Sequence, residues 1–237
     1  MKIAIIPARG GSKRIKNKNI VDLCGKPLIN NSLQVAKQTG LFDKIHVSTD
    51  DQNIKKVVEN LGYVVDFMRD PKLADDHTGI TPVLRWVLQQ YQLRNEYYRD
   101  VCLILPTACL IESNDLIEAY RLFCAHSGLY SILPVAAYPA PTEWAYRKTN
   151  IDLLEPLYPG KFNIRSQDLE KKYYDSGTFV WFSDKRILSD NVAGDQDFIA
   201  YPLDRYKAID IDDPEDLEIA HIVKLGLQQY KTFKNEN

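Results

Sequence analysis

The first twenty residues restrict the chain more than any other stretch. An apolar run, Ile3 to Ile6, ends on Pro7 and opens directly into a loop with adjacent glycines, Gly10 and Gly11, and the cations Arg9, Lys13, Arg14 and Lys16, closed by Lys18 and Asn19. The run reads as a buried strand, so the fold must carry a cation-dense turn at that strand's C-terminal end. Glycine lets backbone N–H groups approach an anion closely, and Arg and Lys supply the countercharge. Four cations within eight residues repel one another unless an anion sits among them. A bound polyphosphate is one reading; a solvated basic surface loop is the other. Two common phosphate signatures are absent. No glycine follows Gly11 before Gly25, which rules out P-loop spacing, and the adjacency of Gly10 and Gly11 rules out the dinucleotide fingerprint.

The run at 2–7 is the first of a series. Short apolar runs recur at 44–49, 63–68 and 101–105, separated by helical periodicity at about 28–39, 51–61, 79–92 and 113–127. Thr49-Asp50-Asp51 and Ser113-Asn114-Asp115 offer N-caps to the second and last of these helices. This alternation predicts an α/β fold, a Rossmann-like three-layer sandwich with a mostly parallel sheet. Ligands of such sheets bind at the carboxyl ends of the strands, where the opening loop would emerge. From 130 to 212 the pattern changes to strands at 130–137, 155–158, 178–183 and 200–202 among irregular segments. A last helix begins at Pro214 behind the cap Asp213 and reaches about Tyr230, leaving 231–237 frayed. Residues 139–177 read as an excursion, a lobe or dimerisation arm, within a single domain spanning 1–237.

Composition narrows the class. With 237 residues, 45% of them hydrophobic and 26% charged, the chain suits a soluble globular protein with a sizeable core. A net charge of −2 argues against a general nucleic-acid binder, so the early cations are a local feature. The stretch Leu129 to Ala140 is too short and too broken by prolines to span a membrane. No signal-peptide pattern precedes the first strand. Cys24, Cys102, Cys109 and Cys124 lack C-x-x-C spacing and suit thiols of a reducing compartment, so a cytoplasmic protein is expected. The scattered His46, His77, His126 and His221 do not suggest a zinc site.

Further clusters carry possible chemistry. In Ile209-Asp210-Ile211-Asp212-Asp213, a strand would put Asp210 and Asp212 on one face. Paired carboxylates repel unless a cation sits between them, and all-oxygen ligation suits Mg²⁺ held jointly with phosphates. The plainer alternative is a helix cap beside a solvated Asp210. The polar set from Asn163 to Asp168, followed by Tyr174-Asp175-Ser176-Gly177, could read a hydroxylated, carboxylated ligand, with Arg165 gripping the carboxylate. An ordinary polar loop fits as well. His77, beside Thr78 and Gly79, is either a ligand contact or a residue of the helix start. Thr107, just past the central strand, has the placement of a site residue.

These residues together resemble a known family. Ile6-Pro7-Ala8-Arg9-Gly10-Gly11-Ser12-Lys13, with Lys18-Asn19-Ile20 and Gly25-Lys26-Pro27-Leu28-Ile29, looks like the opening of the sialic-acid-type cytidylyltransferases. The likeness continues through 47–51, 69–78 and 209–216 and so covers nearly the whole chain. Within the family it is most similar to the branch that acts on pseudaminic acid, through 163–169, 174–177 and 74–79. Enzymes for N-acetylneuraminate usually carry a Gln and an Arg after the central strand, whereas residues 105–111 read Leu-Pro-Thr-Ala-Cys-Leu-Ile. The resemblance implies a nucleotide-diphospho-sugar transferase type of fold and transfer of CMP from CTP to an acidic nonulosonic sugar, with Mg²⁺ as cofactor and a homodimer as the assembly. It implies that Arg9, Ser12 and Lys18 contact the CTP phosphates and that Gly10 and Gly11 permit close approach. Asn19 and Arg69 would read cytidine, and Asp210 and Asp212 would hold the metal. Ala8 and Thr107 complete the expected nucleotide-binding set. Arg9, Lys18, Asp210 and Asp212 are the expected catalytic group, and Arg165, Gln167 and Asp175 the expected sugar contacts. Rival readings are the same chemistry on N-acetylneuraminate, legionaminate or an eight-carbon ulosonate, a silent nucleotide-binding module, and a dehydrogenase, the last disfavoured by the missing fingerprint.

Overall fold

The computed structural model describes residues 1–189 and 196–236. The first half forms β1 (Lys2–Pro7), the small hairpin β2 (Asp22–Leu23) and β3 (Lys26–Pro27), α1 (Asn30–Gln38), β4 (Lys44–Ser48), α2 (Gln52–Asn60), α3 (Ile80–Gln92), β5 (Asp100–Ile104) and α4 (Ser113–Ala125). The second half forms β6 (Ser131–Ala137), a hairpin of β7 (Tyr146–Lys148) and β8 (Leu154–Pro156), then β9 (Tyr173–Asp175), β10 (Phe179–Ser183), α5 (Asp184–Leu188), β11 (Phe198–Pro202) and α6 (Pro214–Glu236).

The central sheet has the order β11-β6-β10-β5-β1-β4, with β9 added on β6. β1 lies parallel to β4 and β5, with Pro7 opposite Ser48 and Ile5 opposite Leu103. β11 is parallel to β6, while β10 runs antiparallel between β5 and β6, and β9 runs antiparallel to β6. Five strands, β1, β4, β5, β6 and β11, therefore share one direction, in accord with the mostly parallel sheet expected.

Side-chain alternation along β1 divides the core into two layers. Ala4 and Ile6 pack with Leu33 of α1, Ile54 and Val58 of α2, and Leu116 and Phe123 of α4. Ile3 and Ile5 face Leu84, Val87 and Leu88 of α3 and Ile187 of α5 on the other side. A strand buried on both faces needs an unbroken apolar run, and β1 has one. Trp181 of β10 is fully buried, stacks on Phe42 at 5.3 Å, and donates its indole N–H to the Leu116 carbonyl at 3.2 Å. A third cluster joins Ile15 of the opening loop, Leu23 and Leu28 around the β2–β3 hairpin, and Ile211 and Ala220 at the start of α6. It anchors the far end of the opening loop against the segment that carries Asp210 and Asp212.

Four local expectations change. Residues 63–68 form no strand among the described residues. Asp66, in the middle of that run, accepts from Tyr91 Oη at 2.7 Å and from Lys44 Nζ at 3.2 Å, so side-chain tethers hold the segment where a ladder was expected. The N-cap of α4 is Glu112, not a residue of the 113–115 set. Glu112 and Asp115 form a reciprocal capping box that satisfies two backbone donors. The last helix continues past Tyr230 to Glu236, held in part by an ion pair of Lys231 with Glu112 at 2.6 Å. Its start agrees with the sequence reading: Asp213 Oδ1 accepts from the N–H groups of Glu215 and Asp216. Finally, the stretch 139–177 leaves the sheet through the β7–β8 hairpin, but its last part, β9, returns to pair with β6.

Candidate active site

A cleft of about 540 Å³ opens at the carboxyl ends of β1 and β5. Among its lining residues are Arg9, Ser12, Lys18 and Asn19 from the opening loop, Arg69, Thr107 after β5, and Asp210 and Asp212 before α6. Segments as far apart in sequence as Lys18 and Asp212, 194 residues, thus meet in one cavity, because β1 lies between β5 and β4 and the start of α6 packs against the loop's far end.

The loop is shaped by carboxylates beneath it. Asp50 Oδ1 accepts the Gly10 N–H at 3.1 Å. Asp51 caps α2 through the N–H groups of Asn53 and Ile54, and its Oδ2 lies 2.5 Å from where a Gly10 Cβ would stand. Gly10 is therefore needed to clear Asp51, a steric reason separate from any anion. Gly11 is exposed, and Ala8 is fully buried as a continuation of β1, its N–H donating to the Ser48 carbonyl at 2.8 Å; neither lines the cleft. Asn19 is buried and gives its side-chain N–H to the Arg9 carbonyl at 2.9 Å, which fixes the loop's path.

The repulsion among the loop's cations is relieved by two aspartates. Asp76 pairs with Arg9 at 2.7 Å and with Lys13, and Asp212 pairs with Arg14 at 2.9 Å and Lys18 at 3.3 Å. Lys18 also donates to the Ile211 carbonyl at 2.7 Å. The hydrogen bonds from Lys13 and then Arg9 hold the Asp76 carboxyl down at about 2. For Asp212, burial works the other way, but the bonds from Lys18 and Arg14 keep its carboxyl below the usual carboxylate range.

Asp210 is the contrasting group. Its side chain opens onto the cleft, yet the surrounding protein raises its pKa, and the Asp212 carboxylate adds to the rise. It forms no hydrogen bond or ion pair through its carboxylate among the described residues. Gly177, at φ +60°, makes room for it: a Cβ there would come within 3.1 Å of the Asp210 carboxyl carbon. Arg69 is buried, with Nε on Ser48 Oγ at 3.0 Å and Nη2 on the Ser48 carbonyl at 2.6 Å. Burial, against the favourable pull of Asp50 and with Arg9 adding repulsion, lowers its pKa to about 10, so it stays cationic at neutral pH.

The expected sugar contacts are dispersed. Asp175, at the end of β9, accepts the Gly177 N–H at 2.9 Å and is close enough to add to the raised pKa of Asp210. Arg165 and Gln167 do not line the cleft. Arg165 pairs with Asp168 at 2.9 Å, and Gln167 lines a separate groove with Tyr138 and Thr142 on the excursion. His77 is exposed and stands outside the cleft lining. The residues missed from sequence are Asp75 and Asp76 with Thr78, Ile80 and Val83, which form the wall facing the loop. Asp76 stood in the sequence only as part of the stretch 74–79 that carries the family resemblance, with no role of its own.

Comparison with known proteins fits this arrangement. Residues 3–111 match the family model described as cytidylyltransferase. The chain is 34% identical over 221 residues to a pseudaminic acid cytidylyltransferase of Campylobacter jejuni, covering 93% of this chain and 95% of that one. It is 29% identical over 238 residues to an N-acylneuraminate cytidylyltransferase of Escherichia coli, covering 98% of this chain but 55% of that one. Among solved structures, a CMP:2-keto-3-deoxy-manno-octonic acid synthetase complexed with CTP superposes with a TM-score of 0.68 at 16% identity, over 96% of this chain and 99% of that one.

Proposed function

The chain belongs to the cytidylyltransferase family, and from that premise we propose that it joins CTP to an acidic nine-carbon sugar, pseudaminic acid, releasing pyrophosphate. The observation that carries the nucleotide half is the convergence of Arg9, Ser12, Lys18, Asn19, Arg69, Thr107, Asp210 and Asp212 on one cleft. The near full-length likeness to the Campylobacter relative supports the choice of sugar. N-acetylneuraminate is the runner-up, supported by a lower identity and opposed by residues 105–111.

In this reaction the sugar's anomeric hydroxyl attacks the α-phosphorus of CTP. A new O–P bond forms as the bond to the pyrophosphate oxygen breaks, and the hydroxyl proton is lost. The protein's work is in-line positioning and neutralisation of charge that grows on the leaving group. Arg9 and Lys18 exchange carboxylate partners for phosphate oxygens, and the Ser12 hydroxyl joins them. Arg69, locked by Ser48, and Asn19 address the nucleoside, while Thr107 closes the floor.

Asp210 and Asp212 suit a hard divalent cation. They offer oxygen only, burial and then the neighbouring Asp212 carboxylate raise the Asp210 pKa, and Gly177 keeps a cradle open beside Asp210. Among the described residues no group of three or more His, Cys, Asp or Glu side chains is placed to hold a metal, so Mg²⁺ would be completed by phosphates. When bound it neutralises and orients the triphosphate.

Asp175 keeps its sugar role beside the cleft. Arg165 and Gln167 serve the sugar only if an assembled dimer brings the excursion over a neighbouring cleft. Support for a dimer is the excursion's exposed apolar set, including Ile151, Leu154, Leu157 and Phe162, and light scattering at a twofold mass tests it. The cytoplasm is the proposed location because CTP is supplied there. No helix among the described residues is long and apolar enough to cross a membrane. The test of the function is a panel of nonulosonic acids with CTP and Mg²⁺, read by pyrophosphate release; turnover of N-acetylneuraminate without turnover of pseudaminic acid overturns the choice of sugar.

A further inference from the structure

Arg9 and Lys13 already have an anion, and it comes from the opposite wall of the cleft. Asp76 gives one carboxylate oxygen to each cation, Oδ1 to Arg9 and Oδ2 to Lys13. The same Arg9 nitrogen also donates to the Asp75 carbonyl at 2.8 Å and reaches the Ala74 carbonyl at 3.5 Å. One guanidinium thus fastens a strap, residues 74–79, that leads straight into α3, whose Ile80 and Val83 line the cleft.

We propose that Asp76 is a resident counter-ion which the phosphates of the nucleotide displace on binding and which returns as pyrophosphate leaves. The inference rests on reading the cleft as a nucleotide site. Two observations and one general principle carry it. The carboxylate bridges two loop cations as a phosphate group would. The pairs are open to solvent, with side-chain exposures of 36% for Arg9, 37% for Asp76 and 79% for Lys13, so they hold the loop without holding it tightly. A polyphosphate offers more charge and more acceptors than one carboxylate, so it wins the exchange. Asp76 then acts as a positioning residue. It keeps mutually repelling cations in place in the free enzyme, weakens triphosphate binding by competition, and speeds loss of the product anion.

Asp75 is a natural control. It lines the same cleft, but its carboxylate faces its own turn, accepting from the N–H groups of His77 at 2.9 Å and Thr78 at 2.6 Å. An asparagine can keep both of those bonds while removing the same unit of charge.

The experiment is calorimetric titration of the full chain with CTP, inorganic pyrophosphate and inorganic tripolyphosphate, without metal, for wild type, Asp76→Asn, Asp76→Glu and Asp75→Asn. Asp76→Asn should tighten all the polyphosphate ligands about three- to tenfold at low salt, fading at high salt as an exposed ion pair must. Asp76→Glu should stay near wild type, and Asp75→Asn should shift affinity by less than about twofold. In turnover, Asp76→Asn should lower the KM for CTP and sharpen inhibition by pyrophosphate. Equal tightening by Asp75→Asn and Asp76→Asn would reduce the effect to general charge and overturn the proposal. Unchanged or weaker polyphosphate binding by Asp76→Asn would also overturn it, as would absence of polyphosphate binding by wild type. If tripolyphosphate follows the expected order while CTP does not bind, the counter-ion role stands and the cytidine reading fails.

Discussion

Replacing Asp212 by asparagine separates the two tasks assigned to that residue. Its carboxylate neutralises Arg14 at 2.9 Å and Lys18 at 3.3 Å, and with Asp210 it is assigned the metal. Its side chain is 45% exposed, so each ion pair contributes at most about 1 kcal/mol to stability. Lys18 retains the Ile211 carbonyl as a partner. The two pairs together are worth at most about 2 kcal/mol, so the variant should fold, with Tm lower by no more than about 4–8 °C. Catalysis should suffer far more. Loss of one preorganised group that stabilises developing charge typically costs about 10²–10³ in kcat, or about 2.7–4 kcal/mol. Affinity moves the other way: with Arg14 and Lys18 released, CTP should bind about two- to fivefold more tightly without metal. The assays are pyrophosphate release at saturating substrates across a Mg²⁺ titration, and metal-free calorimetry with CTP. A kcat within about tenfold of wild type at saturating Mg²⁺ would refute the metal assignment, and weaker metal-free CTP binding would refute the release of the two cations.

Other perturbations test the surrounding structure. Gly10→Ala places a Cβ 2.5 Å from Asp51 Oδ2, so the cap of α2 must shift; a loss of about 1–2 kcal/mol by urea unfolding and a raised KM for CTP are expected, and a neutral variant would contradict the packing. Lys207 is buried, with both Asp115 oxygens at 2.9 Å and Glu112 at 3.2 Å, so Lys207→Met should cost about 3–5 kcal/mol by stranding a buried carboxylate, and a loss under about 1 kcal/mol would contradict it. Asp210 has a raised folded pKa, so its ionised form is disfavoured in the native state. Its destabilising effect is absent below the unfolded value of about 3.9 and present above the folded one. Asp210→Asn should accordingly raise the unfolding free energy at pH 7 by less than about 1 kcal/mol, seen as a slightly higher Tm, with the gain vanishing as the pH falls below about 4. A gain that grows in acid would reverse the sign and refute the assignment.

The legible parts of this molecule were those governed by local rules. β1 announced itself as an apolar run ending on proline, and α2 and α6 by aspartate caps whose side chains bond the first free N–H groups. Asp210 and Asp212 both line the cleft, but the strand expected to put them on one face does not form: 208–212 is irregular backbone leading into α6. Strand direction was not legible, because an apolar run looks the same either way, and β10 runs against its neighbours. The run at 63–68 misled for a related reason: hydrophobicity says that a segment is buried, not that its backbone finds a ladder. The role of Asp76, which lies in the marked stretch 74–79, stayed hidden because its partner Arg9 lies 67 residues away, and no pattern in the chain links them. The extension of α6 is supported in part by Glu112, 119 residues before Lys231, a contact that helical propensity at the C-terminus could not reveal.

The central claim is that one cleft performs cytidylyl transfer to pseudaminic acid. The most direct measurement mixes purified protein, CTP, Mg²⁺ and pseudaminic acid, and follows pyrophosphate together with the mass of the nucleotide product. The account predicts equal amounts of pyrophosphate and CMP-pseudaminic acid, dependent on both the metal and the sugar. CTP binding without release of pyrophosphate would contradict it.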